Sequence, residues 1–413
     1  RDRPGPIHAT PTIDFQALSS SRDAIQALNS PDLFLRFAAV GMLEQYGAEI
    51  LTDLVRTLAT SANVQLNRDV LEVMSFFYVR KLATPEHLQQ IIGLLDAPDP
   101  FVRKFTARLT GWWRAVEALP SLIGTWPGQP EDVQVHIAWA LGQIGTYQAV
   151  DALVAMFNAA QAPETKQAAI AALTTIAVKR TASRTEQSDA LRAYLMQYLN
   201  DADEIVRFHA VMGLYAFRET KRVHEKLIDM LEDRSIYVKR AAAQVLALSG
   251  DKAGIPILIK TLRYPSIDTF EFYDEDLIKD LAFFCGVDFP DDRRFDYATW
   301  NDWWQANGQA VNLEHNLIVK QEIETAFAAF PEHIGLEIFE RLMQTEDNNA
   351  VVERRFRRFC RDRIRFLLAR PSITRDIIAR CVILQRKLVE LEPDRPKTLR
   401  QLQLFEKRLS DYN

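Results

Sequence analysis

Glycine is scarce in this chain, 15 of 413 residues, about half its usual share. Dinucleotide-binding sheets and eight-stranded barrels place glycine in phosphate loops and tight turns, so the shortage counts against both. Cysteine occurs only at Cys285, Cys360 and Cys381, each inside an apolar helical pattern. That spacing gives no disulfide framework and no metal motif, and the three thiols read as reduced core residues. No apolar run approaches the ~20 residues of a membrane span. No Asn-x-Ser/Thr acceptor occurs either, and the chain is assigned to the cytoplasm. It opens on Arg1 rather than methionine, so it reads as trimmed, processed or a fragment; its extended start suits an ordinary loose terminus or tag remnant, with a removed signal or anchor as the alternative.

Chemical motifs are missing as well. None of the seven histidines stands three or four residues from another, so no helical metal pair exists. Phosphate loops, the G-x-G-x-x-G turn and the G-x-S-x-G elbow are absent. Neither a catalytic residue nor a metal or cofactor is assigned. The acidic groups Asp274-Glu275-Asp276 and Asp291-Asp292 lack the glycine-bearing loop of a calcium site. They read as solvated loops or a surface for a basic partner.

What is abundant is helix-forming composition, with 48% hydrophobic and 25% charged residues rich in Ala, Leu, Arg, Glu and Gln. Net charge is −5, and nothing global marks a nucleic-acid binder. The charge is unevenly placed. Residues 351–413 hold 17 basic and 8 acidic residues, whereas 1–350 hold 33 and 47. An acidic body thus carries a basic tail.

The decisive feature is repetition. Leu35, Leu66, Val102, Val133, Thr165, Val206 and Val238, with a weaker Tyr273, follow one another at 31, 36, 31, 32, 41, 32 and 35 residues. Each opens a helix with apolar or small residues at offsets 0, 4 and 8, a single buried stripe. The long interval is attributed to a polar insertion around Lys179–Asp189. A second amphipathic helix follows each anchor, as at Pro85–Leu95, Pro120–Trp126, Gln148–Phe157, Leu191–Leu199, Val223–Leu231 and Ile255–Leu262. A helix pair of about 31 residues is too short to bury its own faces, and stacked neighbours must supply the burial. The fold expected is an all-α solenoid of about 7–8 helix pairs.

The unit resembles the HEAT repeats, in particular the short class named after phycobilisome lyases. The residues carrying the resemblance are the Asp before the anchor (Asp32, Asp99, Asp203, Asp233) and the basic residue after it (Arg36, Arg103, Lys166, Arg207, Lys239). In that family they form a ladder between repeats, which implies interruptions here at Asn67 and Gln134. HEAT-like hydroxylases need several His-Glu pairs, and only His224-Glu225 occurs. HEAT-like DNA glycosylases need a cationic groove, and this body is acidic.

Four segments are expected. Residues 1–22 form an extended linker, 23–285 the solenoid, 286–310 a Trp-rich closing segment and 311–413 a helical extension. Trp300, Trp303 and Trp304 share one helical face, which suits a cap over the open end of the stack, or an aromatic shelf. His136 and His209 read as packing residues at repeat interfaces. Arg354, Arg358, Arg361 and Arg365, at spacings 4, 3 and 4, align into a stripe suited to phosphate or carboxylate. The other reading is a solvated face paired with the acidic body.

Offsets 2, 6 and 9 point away from each buried stripe, toward the expected concave side. Most of those positions are polar or small. Val135 with Trp139, and Phe208 with Met212 and Tyr215, are the exceptions, flanked by Lys104, Arg108 and Arg240. Exposed aromatics and Met suit capture of an apolar helix or peptide, unless local rotation covers them. The function expected is a non-catalytic scaffold or adaptor binding a partner protein or peptide. Two alternatives stay open: a bilin lyase or chromophore-handling protein, as the subfamily's name implies, and an adaptor to an anionic surface through the Arg354–Arg365 stripe.

Overall fold

The computed structural model describes residues 18, 20–79, 84–180, 185–264, 274–329, 332–346, 349–369 and 373–411. Within them are 22 α-helices and no strand, an all-α solenoid fold. The chain forms two compact units, Arg1–Phe217 and Arg218–Asn413. The boundary falls inside the stretch expected to be one solenoid. The expected linker before Leu18 and the weak anchor Tyr273 lie outside the described residues.

In the first unit the anchored helices are Leu33–Leu43, Val64–Val79, Pro100–Trp113, Glu131–Ile144, Pro163–Lys179 and Glu204–Leu214. Their stripes are buried as the spacing requires from Val102 onward, while the anchors Leu35 and Leu66 of the first two are only partly buried. Val102, Thr106 and Thr110, and likewise Val133, Ile137 and Leu141, are at most 1% exposed. Burying each large aliphatic contributes roughly 1.5–3 kcal/mol. The two polar members satisfy themselves locally, Thr106 donating to the Val102 carbonyl at 2.9 Å and Thr110 to that of Ala107 at 2.9 Å. The return helices fall close to their expected places, for example Pro85–Ile92, Val150–Ala159 and Glu186–Tyr198. The two ends of the expected insertion, Lys179 and 186–189, are helical, and 181–184 lie outside the described residues. Pro163–Lys179 and Glu186–Tyr198 are both long, and this accounts for the 41-residue interval.

Aspartate before the anchor is first a helix cap. Asp32, Asp99 and Asp203 accept from the amides of Phe34, Phe101 and Ile205 at 2.9, 2.9 and 2.8 Å, satisfying donors that the helix itself leaves free. The ladder between repeats differs from the family pattern. Buried Asn67 donates to the Asp99 carboxylate at 2.7 Å, and Gln167 to that of Asp203 at 2.8 Å. Asn67 therefore makes a rung where an interruption was expected. Arg103 instead reaches the carbonyls of Ala97 and Pro98 at 2.7 and 2.9 Å. Gln134 does the same to the Gln129 carbonyl at 2.9 Å, so it replaces the arginine rather than breaking the series.

Small residues let successive anchored helices approach. A Cβ on Gly142 would stand 2.8 Å from the Ala172 Cα, and one on Gly111 2.8 Å from the Ala140 Cα. Gly145 ends its helix at φ 73°, a left-handed conformation glycine adopts without strain.

The second unit begins with Lys221–Met230, Ile236–Leu248 and Ile255–Thr261. Val238, Ala242 and Leu246 are fully buried, the same stripe again. Helix Tyr297–Asn307 packs on Ile255–Thr261. Trp300 is fully buried there, edge-on to Phe289 at 4.8 Å and donating to the Arg294 carbonyl at 2.7 Å. Trp303 and Trp304 remain half-exposed. Helices Leu313–Ala328, Glu332–Thr345, Ala350–Leu368, Arg375–Leu391 and Pro396–Ser410 then pack in succession. Phe327, Phe339, Phe356 and Phe359 form their aromatic core, with Phe339 stacked on Phe356 at 4.9 Å. All three cysteines are free and buried. Burial pushes Cys285 and Cys360 up to about 12 and Cys381 up to about 11, so these thiols stay protonated and unreactive.

Candidate functional site

The first unit carries an aromatic and basic ridge. Lys104, Arg108 and Trp112 stand at i, i+4 and i+8 on Pro100–Trp113, one above another on the helix surface. The Arg108 guanidinium lies over the Trp112 ring at 4.7 Å, a cation–π contact. Trp112 meets Trp139 of the next anchored helix edge-on at 6.0 Å. Trp139 reaches that place because residue 111 is glycine; a Cβ there would lie 2.6 Å from the indole. Lys104 pairs with Asp132 at 3.7 Å. Beside them, the His136 ring donates to the Asp132 carbonyl at 2.7 Å. Burial, assisted by Lys104 and Arg108, holds His136 below its ordinary value, so at neutral pH it adds no charge.

Arg108 is exposed and Trp112 is 42% exposed, while Lys104, Val135 and Trp139 are half-buried. Five residues on two adjacent helices thus form one surface, four of them expected from the sequence. Trp112 was missed, as was Phe101, which is 38% exposed and carries Arg68 over its ring at 5.5 Å. At about 100° per residue, offsets −1 and 10 also fall on the outward arc. A wider arc than offsets 2, 6 and 9 finds both.

Two expected members do not belong to an exposed surface. Phe208 is 7% exposed and Arg240 8%. Phe208 is covered because Pro163–Lys179 packs closely on its helix, with Thr174 donating to the His209 carbonyl at 2.7 Å. Arg240 faces a small internal space beside Gln244, Asp276 and Asp280. There Gln244 donates to Asp280 at 2.6 Å, and burial raises the Asp280 carboxyl. Met212 and Tyr215 stay half-exposed at the end of the Glu204–Leu214 helix.

The second unit holds a cleft of 820 Å³ between Ala350–Leu368, the end of Asp274–Cys285, and the 288–294 and 391–395 segments. All four arginines of the expected stripe line it. The helix presents them because Phe356, Cys360 and Leu367, on its other side, are at most 3% exposed. Arg363, out of phase with the stripe, donates to the carbonyls of Phe327 and Ala329 and closes another helix end.

Carboxylates are shared among these cations. Asp291 lies 2.7 Å from Arg354 and 3.6 Å from Arg294. Asp362 serves Arg358 at 3.4 Å and Arg365 at 3.5 Å. Glu392 serves Arg361 and, at 3.4 Å, Arg395. Arg354 also meets the nearly buried Asp288 at 2.9 Å. Among the described residues, no group of three or more His, Cys, Asp or Glu could hold a metal ion. Nor is any described helix long and apolar enough to cross a membrane.

Comparison with known proteins adds the following. The family of HEAT repeats matches residues 88–174 and 127–213, and the family of PBS lyase HEAT-like repeats matches 238–264. No curated protein matches the chain. Among solved structures, it is similar to the complex of CpcE and CpcF of phycocyanin lyase from Nostoc, at 19% identity, 60% of this chain, 92% of that one and a TM-score of 0.31. A designed armadillo repeat protein bound to a (KR)4 peptide is 19% identical over 55% of this chain and 98% of its own, with a TM-score of 0.31. An engineered protein is 15% identical over 95% and 98%, with a TM-score of 0.40.

Proposed function

We propose that this protein, built on HEAT repeats, is a non-catalytic scaffold that holds a partner protein against the Lys104–Arg108–Trp112–Trp139 ridge. Stacked repeats present long side-chain ridges without needing a deep active site. The observation that carries the reading is Trp112, a large aromatic left 42% exposed, ordered between an arginine and a second tryptophan. Tryptophan and arginine are enriched among the residues that carry binding energy at protein interfaces, tryptophan because it offers much contact area with only two torsions to freeze. Lys104 and Arg108 favour a segment with acidic residues beside an apolar side chain.

Substituting Arg108→Asp and Trp112→Ser alters two outward side chains and should leave helical circular dichroism unchanged. Loss of a central anchor costs about 2 kcal/mol or more, roughly thirtyfold in affinity. Undiminished partner capture by the double variant would remove the ridge as the site.

The match of residues 238–264 to a phycobilisome-lyase type of repeat favours a second reading, the handling of a bilin. Mixing the protein with a linear tetrapyrrole should then shift its visible absorbance, and an unchanged spectrum would count against that reading.

A further inference from the structure

Most guanidiniums in the second unit's cleft share their carboxylates, yet one has no carboxylate within ion-pair distance. Arg355 lines the cleft half-buried, between Arg354 and Arg358, with its guanidinium 4.9 Å from the Phe283 ring. It makes no hydrogen bond and no ion pair with any described residue. Desolvation, reinforced first by Arg358 and opposed by Asp288, draws its proton affinity below the ordinary guanidinium value. It stays charged at neutral pH all the same, since a guanidinium has so far to fall. A second unmet donor lies close by. The buried Nε of Arg294, another lining residue, has no acceptor. Arg355 therefore faces, and Arg294 helps to line, a cavity whose charge is in cationic excess, in surroundings where an unpaired charge or donor is costly.

We propose that this cleft is a binding site for a small phosphorylated compound carrying several negative charges. The planar fork of arginine suits phosphate oxygens bidentately. The volume of 820 Å³ falls within the range of small-molecule sites, about 300–1,000 Å³. Arg355 and Arg294 form the inner contacts, and Arg358 and Arg365 the mouth. The mouth arginines are 55% and 79% exposed and share the single exposed Asp362. Such exposed surface pairs are weak, so a phosphate can take their place. A long polyanion fits less well, because Asp291, Glu392 and Asp394 also line the walls and repel an extended chain of charge. A compact polyanion places its charge on the arginines and clear of those carboxylates.

The test uses the full chain, with tripolyphosphate and ATP titrated calorimetrically at low ionic strength. Saturable binding to a single site is expected, weakening as salt is raised. Each charge-assisted contact removed should cost at least about tenfold, from roughly 1.5–3 kcal/mol per contact. The double variant Arg355→Met with Arg358→Met should therefore lose binding by more than that, while Arg386→Met, outside the cleft, should bind within twofold of the unaltered protein. A readout without mutation is arginine modification by phenylglyoxal, mapped by peptide mass. Tripolyphosphate should protect Arg355 and Arg358 and leave Arg400 and Arg408 as reactive as before. Failure to saturate at low millimolar tripolyphosphate and ATP would overturn the proposal. So would equal affinity in the two variants, unselective protection, or binding confined to an oligonucleotide.

Discussion

Alanine in place of glycine should stabilise at one helical position of the first unit and bring no gain at another. On Gly142 an added Cβ meets the Cα of Ala172 at 2.8 Å and its Cβ at 2.9 Å. These atoms belong to the backbone and first side-chain carbon of the next anchored helix and cannot swing aside. Relief requires that helix to retreat by about 1 Å, since carbon atoms rest near 3.5–4.0 Å. The retreat loosens a contact that buries Ile137, Leu141, Ala169 and Leu173 completely or nearly so. Overpacking of this kind costs about 1–3 kcal/mol, whereas replacing a helical glycine gains about 1 kcal/mol. Gly142→Ala should thus be neutral to destabilising by about 2 kcal/mol, and Gly142→Val, larger and β-branched, should lose at least that much. Gly41 is exposed within Leu33–Leu43, and nothing lies within 4 Å of an added Cβ. Gly41→Ala should keep the gain alone, about 0.5–1 kcal/mol. Urea unfolding followed by circular dichroism measures both, and hydrogen exchange of peptides from 131–179 localises the loss. A Gly142→Val chain as stable as the parent would refute the close helix approach on which the repeat stacking rests.

Other consequences follow from single contacts. Asn67→Leu removes the rung to Asp99 and leaves that carboxylate half-served; a loss of roughly 1.5–3 kcal/mol in unfolding free energy is expected, and none would mean the rung is idle. Burial holds His209 down at about 4 against an ordinary 6.5. The folded chain resists a proton that the unfolded chain accepts, so stability should fall as pH drops from 6.5 toward 4. His209→Gln should flatten that part of the profile, and NMR titration of His209 near 6.5 would contradict it. Arg380 holds the nearly buried Glu332 carboxylate below its usual range. A depressed carboxylate stabilises above its unfolded value and loses that contribution as pH falls through its folded one. Glu332→Gln should therefore destabilise the second unit most at neutral pH and least in acid, measured by thermal melts across pH.

Much of the fold was legible because burial leaves a periodic trace. Offsets 0, 4 and 8 from Val102 through Val238 are the buried positions, and no tertiary information was needed to mark them. Polar ladder residues were harder. Asn67 and Gln134 depart from the family's basic pattern, yet an amide that can donate serves the same acceptors at similar reach. Exposure was only partly legible. Trp139 stays half-buried against the preceding anchored helix, whereas the closer approach of Pro163–Lys179 covers Phe208 and Arg240 faces Asp276 and Asp280, distances that helical spacing alone does not set. The arginine stripe was readable from spacings of 4, 3 and 4. Arg355 was not, because it lies beside the stripe, and only the fold brings Phe283 and Arg294 to it. Trp112 carried a signal that was present in the sequence and lay just beyond the arc used to read it.

Site-directed photocrosslinking tests most directly whether the Trp112 ridge takes a protein partner. A photoreactive phenylalanine analogue placed at Val135, half-buried one helical turn before Trp139, should crosslink a partner segment bearing acidic and apolar residues in extracts of the source cells. The same analogue at Ile383, 52% exposed in the second unit, should not, and Arg108→Asp with Trp112→Ser should abolish the Val135 product. A Val135 crosslink that persists in the double variant, or the same product from Ile383, would contradict the account.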